Sequence, residues 1–242
     1  MTTITTMVMS TAPAAGMTTE GSLYRLMAWL SPSYPVGAFS HSHGLEWAVE
    51  TGWVRDRVAL IDWLGQLLEA GSGWNDAVIL AHAHAAGGDA PRLAGLNDLA
   101  RANAPAKERR IETMAQGTAF RLISESSWPA PGLEVLPADV AYPVAVGVTA
   151  AAHDIPLAPT LTAYLHGFVA NLVSAAQRLV PLGQTDGQKA IAALMPVVEA
   201  VVARVTALEL AGDAFEHLGG VTLVSDIAAM RHETQYTRLF RT

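Results

Sequence analysis

Ile155-Pro-Leu-Ala-Pro-Thr-Leu-Thr-Ala-Tyr-Leu-His-Gly-Phe-Val-Ala-Asn-Leu-Val-Ser-Ala-Ala-Gln177 is the longest charge-free stretch of the chain, and its length would let a helix cross a bilayer. Its pattern argues otherwise. Pro156, Pro159, His166, Asn171 and Gln177 interrupt it, while Leu161, Tyr164, Leu165, Phe168, Leu172, Ala176 and Leu179 recur on one side at spacings of three and four. A membrane span is apolar all round, whereas a stripe of this kind lies against a soluble core. Pro159 suits the first turn, where the missing N–H has no intrahelical partner to lose. The stretch therefore predicts a long amphipathic helix and excludes a membrane protein of the helical kind.

The same period recurs on either side. Leu23, Leu26, Met27 and Leu30 predict a first helix, ended at Ser31-Pro32 because the residue before proline avoids the helical region. Leu60, Ile61, Leu64, Leu67, Leu68 and Gly71 form a second stripe, and Trp74–Ala86 and Arg92–Ala102 carry weaker ones. Ile111, Met114, Ala115, Thr118 and Leu122 form another, which places Glu108, Arg109, Arg110 and Glu112 on or near its solvent side. Val140–Thr149 is ambiguous: its valines favour a strand, which Pro143 and Gly147 would weaken. Leu182–Gly187 reads as a turn. Ile191, Leu194, Met195, Val198, Val202 and Val205 predict a last long helix, with Pro196 marking a kink or a new first turn. The expected architecture is all-α: one helical-bundle domain over residues 22–242, preceded by a disordered tail over 1–21 that is rich in Thr, Met and Ala.

Composition narrows the chemistry. The 242 residues carry no cysteine, which removes disulfides, cysteine nucleophiles and Cys-ligated metal centres. Net charge is −7, against the basic face that nucleic-acid binding needs. No basic residue precedes Arg25, so no targeting peptide is expected and the compartment is expected to be the cytoplasm. Only Lys107 and Lys189 are present, neither in a Gly-Lys-Ser/Thr context, which excludes a P-loop; no Rossmann fingerprint follows a strand. His232-Glu233 lacks a second histidine one turn on, where Tyr236 stands, so the zinc-protease motif fails. His82 and His84 lie in a helical pattern, where residues two apart diverge by about 200° and cannot chelate one ion; one is expected in the core and one outside. His41 and His43 sit at a loop-to-helix junction, where chelation is geometrically open. No third ligand is near in sequence, and a structural role is the stronger reading.

Hydrophobic residues make up 51% of the chain and charged residues only 15%, a balance that suits a protein with an apolar partner surface. The densest local pattern is Ser31-Pro-Ser-Tyr-Pro-Val-Gly-Ala-Phe-Ser-His-Ser-His-Gly-Leu-Glu46. Pro35 and Gly37 fix a turn, Phe39 is expected to anchor it in the core, and Ser40 is placed to cap the next helix. The run from Pro35 through Gly37, Phe39, Ser40, His41, Ser42 and Gly44 to Glu46 resembles the hallmark of the urease accessory protein UreF family. Three further stretches agree in order. Glu108-Arg109-Arg110 with Gly117 resembles the family's mid-chain helix. Val180-Pro-Leu-Gly-Gln-Thr-Asp-Gly-Gln188, with Gln184, Gly187 and Gln188, resembles its glycine turn. Asp226-Ile-Ala-Ala-Met-Arg-His-Glu-Thr-Gln-Tyr-Thr-Arg-Leu-Phe-Arg241 resembles its ending.

The resemblance implies an all-α, non-enzymatic scaffold. It would join UreD (UreH in some organisms) and the GTPase UreG to apo-urease for nickel-centre assembly, form a homodimer within that complex, and possess the means to modulate UreG's GTPase. It implies no bound cofactor, with nickel handled by the wider complex. Arg231, His232, Glu233, Tyr236, Arg238, Leu239, Phe240 and Arg241 are the expected partner-binding residues. Tyr and Arg are interface-rich types, although a chain end defaults to fraying; the resemblance favours a segment ordered by its partner. Two other classes stand beside this one: a nickel metallochaperone using His41 and His43, and a helical hydrolase using Ser42.

Overall fold

Two segments are buried along nearly their whole length and form the centre of the fold. They are Trp74–Ala83 and Pro143–Ala150, and in the structure, a computed structural model describing residues 19–220 and 222–242, they are the middle helices of a helical stack. In chain order the α-helices are α1 (Glu20–Trp29), α2 (Leu45–Glu50), α3 (Arg57–Ala70), α4 (Ser72–Ala86), α5 (Ala90–Ala102), α6 (Lys107–Ser127), α7 (Tyr142–Ala152), α8 (Leu157–Leu179), α9 (Gln184–Thr206) and α10 (Leu223–His232). Single 3₁₀ turns occupy Ala38–Ser40, Leu133–Val135 and Ala214–His217, and no strand occurs among the described residues. No described helix is long and apolar enough to cross a membrane.

α4 packs against α7 and is flanked by α3, α5, α8 and α9. The α4–α7 crossing is close because α7 turns Gly147 towards α4. A Cβ there would sit 2.5 Å from the Leu80 carbonyl oxygen. The ambiguous stretch Val140–Thr149 is thus resolved as helix from Tyr142 onwards. Pro143 occupies its first turn, and burial on all sides had erased the period that would have marked it. α8 forms over the expected stripe, burying Leu161, Tyr164, Leu165, Leu172 and Ala176. Pro196 is carried inside α9 without starting a new helix.

Four sequence expectations are corrected. α1 begins at Glu20, capped by Thr19, so residues 20 and 21 belong to the helix; the rest of the expected disordered tail, 1–18, lies outside the described residues. In α1 it is Leu26 and Trp29 that are buried, while Leu23 and Met27 face outwards. α6 is rotated relative to its apolar stripe. Arg109, Glu112, Gln116, Gly117 and Phe120 are buried, and Ile111 and Leu122 are 53% and 52% exposed. The glycine turn is shorter than expected, because Gln184 already opens α9. Of the histidine pair in α4, His82 is fully buried and His84 is half-buried, its Nε2 2.8 Å from the Ile155 carbonyl.

Gly117 shows why α6 turns this way. Its missing side chain admits the backbone of Val140–Tyr142, whose Ala141 carbonyl carbon would lie 2.5 Å from a Cβ. Gly117→Ala is therefore expected to destabilise the fold by at least about 2 kcal/mol, because the obstacle is backbone. Gly65→Ala, in α3 with nothing within 4 Å, is expected to stabilise it by about 0.5–1 kcal/mol. Urea unfolding of both variants checks the pair.

Candidate functional site

The motif loop needs two consecutive left-handed residues to reverse direction before α2. They are His43 (φ +55°) and Gly44 (φ +75°). Gly44 is confined to glycine twice over, because a Cβ would also lie 2.8 Å from the Cα of Ala229 in α10, which crosses directly above. Ser40 does not cap α2. Its hydroxyl donates to the Gly37 carbonyl (2.8 Å), Gly44 precedes the helix, and the Glu46 amide donates to Ser42 Oγ (3.3 Å). Phe39 does not anchor the turn either, being 69% exposed.

The loop's partner is the end of the chain. The Arg241 amide donates to the Ser40 carbonyl and the Ser42 amide to the Thr242 carbonyl, each at 2.9 Å. The Ser42 hydroxyl donates to the same carbonyl at 2.5 Å. The Glu46 carboxylate accepts from the Leu239 amide (2.6 Å), the Phe240 amide (2.9 Å) and His232 Nε2 (3.1 Å). His232 Nδ1 faces Glu108 Oε2 at 2.7 Å, and Arg238 donates to the other Glu108 oxygen at 2.6 Å. Glu233 accepts from the Lys107 amide (2.7 Å), placing a carboxylate at the otherwise uncapped start of α6. Phe240 is buried beneath the Arg178 guanidinium, 4.2 Å from its ring, and Arg178 also donates to the Phe39 carbonyl at 2.7 Å.

A second carboxylate sits deeper. Glu112 accepts from His43 Nε2 (2.7 Å), Gln116 (3.0 Å), the Thr242 hydroxyl (2.9 Å) and Arg109. Burial alone would raise its affinity for a proton. The Arg109 guanidinium and His43 outweigh that and hold the carboxyl well below the usual range. Burial, reinforced by the charge of Arg109, lowers His43 to about 4, so its ring is neutral. The carboxylate fixes the proton on Nε2, and Nδ1 is a buried acceptor without a partner. His41 Nδ1 donates to the Thr242 hydroxyl at 3.2 Å.

These contacts place each expected site residue. His41 turns to the Thr242 hydroxyl and His43 to Glu112, and no group of three metal-ligating side chains occurs among the described residues. Ser42 is fully buried with its hydroxyl engaged, which does not suit a nucleophile. Of the chain-end residues, His232 and Phe240 are inside, whereas Arg231, Tyr236, Arg238, Leu239 and Arg241 are outside. Gln184 and Gly187 form a helix-to-helix corner on Gln177 of α8, away from this network. Arg109 and Glu112 were expected on or near the solvent side of α6, and Gln116 and Arg178 were not singled out from the sequence. A polar run at spacings of three and four on α6 was the signal for the first three.

Between α1, the motif loop and α8 lies a cleft of about 870 Å³, with His43, Glu112, Asp76 and Tyr164 in its walls. Asp76 accepts from the Tyr164 hydroxyl (2.9 Å) and is pushed up to about 6 by burial, against the pull of Arg109.

The hallmark loop of the helical stack is latched to the chain end by carboxylates that draw their donors from several separate elements. The UreF family model matches residues 54–195. The chain is 51% identical over 226 residues to the urease accessory protein UreF of Rhodopseudomonas palustris strain BisA53, covering 91% of this chain and 93% of the relative. It is 49% identical over 233 residues to that of Bradyrhizobium sp. ORS 278, covering 94% and 95%. It is 50% identical over 238 residues to that of Xanthobacter autotrophicus Py2, covering 94% and 96%. The chain belongs to the UreF family of urease accessory proteins.

His43 and Asp76 give the fold opposite acid responses. His43 is held near 4 against an ordinary 6.5, so the unfolded chain binds more protons between those values and stability falls as pH drops through them. Asp76, near 6 against an ordinary 3.8, gains stability over its own window as pH falls. His43→Gln is expected to flatten the acid loss by up to about 1.4 kcal/mol per pH unit, and Asp76→Asn to steepen it. Urea midpoints taken stepwise from neutral to mildly acidic pH measure both slopes.

Proposed function

We propose that this chain is a non-catalytic scaffold in urease maturation, joining UreD (UreH) and the GTPase UreG to apo-urease so that nickel, the cargo, reaches the urease active site. The reading extends to a homodimer in that complex, to modulation of UreG's GTPase, to a cytoplasmic setting and to a chain that holds no cofactor of its own.

The observation that carries it is the surface held up by the latch. α10 keeps Leu223, Val224, Ile227 and Met230 between 44% and 64% exposed. Leu239, at 63%, and the fully exposed Tyr236 follow immediately in the chain end. Apolar residues at spacings of one, four and seven form a helix face, and a helix face left open in this way fits a protein partner. Glu46, His232 and Phe240 hold that face in place, so they serve binding from beneath while Tyr236, Leu239 and Arg238 meet the partner. We assign the partner as UreD.

Two measurements test this. Nickel content of urease is compared after co-expression of its structural subunits and accessory proteins with and without this chain; loading is expected to depend on it, and full loading without it would overturn the assembly role. In a pull-down with UreD, Ile227→Asp and Leu239→Asp are each expected to weaken binding by more than about 1 kcal/mol, the threshold of a hot spot. Unchanged affinity for both would remove α10 and the chain end from the interface.

A further inference from the structure

Asp76 is short of a counter-charge. The cleft between α1, the motif loop and α8 has the carboxylates of Glu20, Asp76 and Glu112 in its walls and a single guanidinium, that of Arg109. Arg109 is committed to Glu112, with which it pairs directly. A second cavity of about 200 Å³, which also reaches Asp76 and Arg109, adds the carboxyl of Asp226 and no further cation. Burial raises the proton affinity of both aspartates, and Arg109 pulls the other way on each. Asp76 Oδ2 accepts from the Tyr164 hydroxyl, while Oδ1 has no partner and Asp76 no ion pair among the described residues. A carboxylate that holds its charge at neutral pH in such surroundings calls for a cation.

The surroundings select which cation. No group of three metal-ligating side chains occurs among the described residues, so a metal ion is poorly served. A guanidinium fork needs both carboxylate oxygens, and Tyr164 already takes one. An ammonium is a point charge that one oxygen can hold, with further N–H groups to place. His43, in the same walls, offers an acceptor without a partner at Nδ1. The rest of the cleft suits an aliphatic stem. Leu26 and Met27 line it from α1 and Phe168 from α8, and Tyr142 and Tyr164 line it with their rings 5.3 Å apart. Its rim carries Leu23, Met27 and Phe39, which are 53–69% exposed. Arg178 binds the Phe39 carbonyl and covers Phe240, so the mouth adjoins the ordered chain end.

We propose that the cleft is a lysine site: the ammonium of a partner protein's lysine reaches the free oxygen of Asp76, with its aliphatic stem between α1 and α8. The exposed apolar rim receives the residues that flank that lysine, in continuity with the chain-end surface described above. This names a contact for the partner assigned as UreD and rests on that reading.

The probe is n-hexylammonium, a primary ammonium on a bare aliphatic stem, titrated calorimetrically into the full chain at neutral pH. Saturable binding is expected. It is expected to weaken by more than about tenfold in Asp76→Asn, and by as much for n-hexanol, which has the stem without the charge. Asp76→Asn keeps an acceptor for Tyr164, and its melting temperature is expected to be no lower. Ala163→Phe, which fills the cleft from α8, is expected to abolish binding of both probes. Absence of saturable binding, or equal binding of n-hexanol or by Asp76→Asn, overturns the site. UreD is expected to displace n-hexylammonium and to bind Asp76→Asn more than about tenfold more weakly. A UreD complex that keeps n-hexylammonium bound, or one indifferent to Asp76→Asn, assigns the site to a free amine and overturns the partner lysine. Nickel loading of urease is read separately, so the assembly role stands or falls on its own measurement.

Discussion

A buried carboxylate has to find its donors or give up its charge, and Glu112 finds four of them on three separate parts of the chain. Arg109 and Gln116 come from its own helix, His43 from the motif loop and Thr242 from the chain end. None of these contacts is worth much alone, because each replaces a hydrogen bond to water. The constraint lies in their interdependence. Removing one partner leaves the others inside with nothing opposite, and a buried charge pair broken on one side costs about 3–5 kcal/mol. The loop, α6 and the chain end therefore hold one another in a single arrangement. Glu46 repeats the device nearer the surface, where two backbone amides and His232 converge on it.

The helical stack makes that arrangement possible by bringing backbones unusually close. Gly44 lets α10 lie on the motif loop, Gly117 seats α6 against Val140–Tyr142, and Gly147 lets α7 lie on α4. Each removes a side chain where two elements cross, and close crossings leave little room for the network to relax into another geometry. α8 supplies the remaining support: Phe168 meets the His43 ring edge-on at 5.1 Å, Asn171 donates to the His41 carbonyl at 3.4 Å, and Arg178 covers Phe240. The stripe that identifies α8 as a core helix thus also positions the loop, because the residues bordering its buried face are those that reach it.

What could be read from the sequence depended on whether a residue's partner was nearby. The α8 stripe from Leu161 to Leu179 was legible because it is a local pattern with one buried side. α7 was not, because a helix buried all round has no period. α6 was legible as a helix but not in its phase. Apolar residues mark the core face only when the core is apolar, and here Arg109, Glu112 and Gln116 point inwards. The motif loop was legible as a specified corner through Pro35, Gly37 and Gly44, yet Phe39 is exposed and the first-turn amide of Glu46 goes to Ser42 rather than Ser40. Glu46 meets Leu239 and Phe240 across 193 and 194 residues, and nothing local announces such a pairing. The chain end alone has the composition of a fraying terminus, and its order comes from elsewhere in the fold.

The same logic locates the apolar excess that the composition announced. A hydrophobic fraction of 51% could have meant a larger core, but the core closes around its carboxylates and still leaves sizeable apolar side chains outside. Phe39, Trp53, Val58, Met195 and Phe215 are scattered singly, but the rest gather on α1, on one face of α6 and on one face of α10 continuing into the chain end. Isolated exposed leucines are ordinary, whereas helix-long apolar faces on an otherwise charge-poor surface are not. A chain built this way does not finish covering itself. The carboxylate network holds α6, α10 and the chain end from inside, so their apolar faces stay turned outwards.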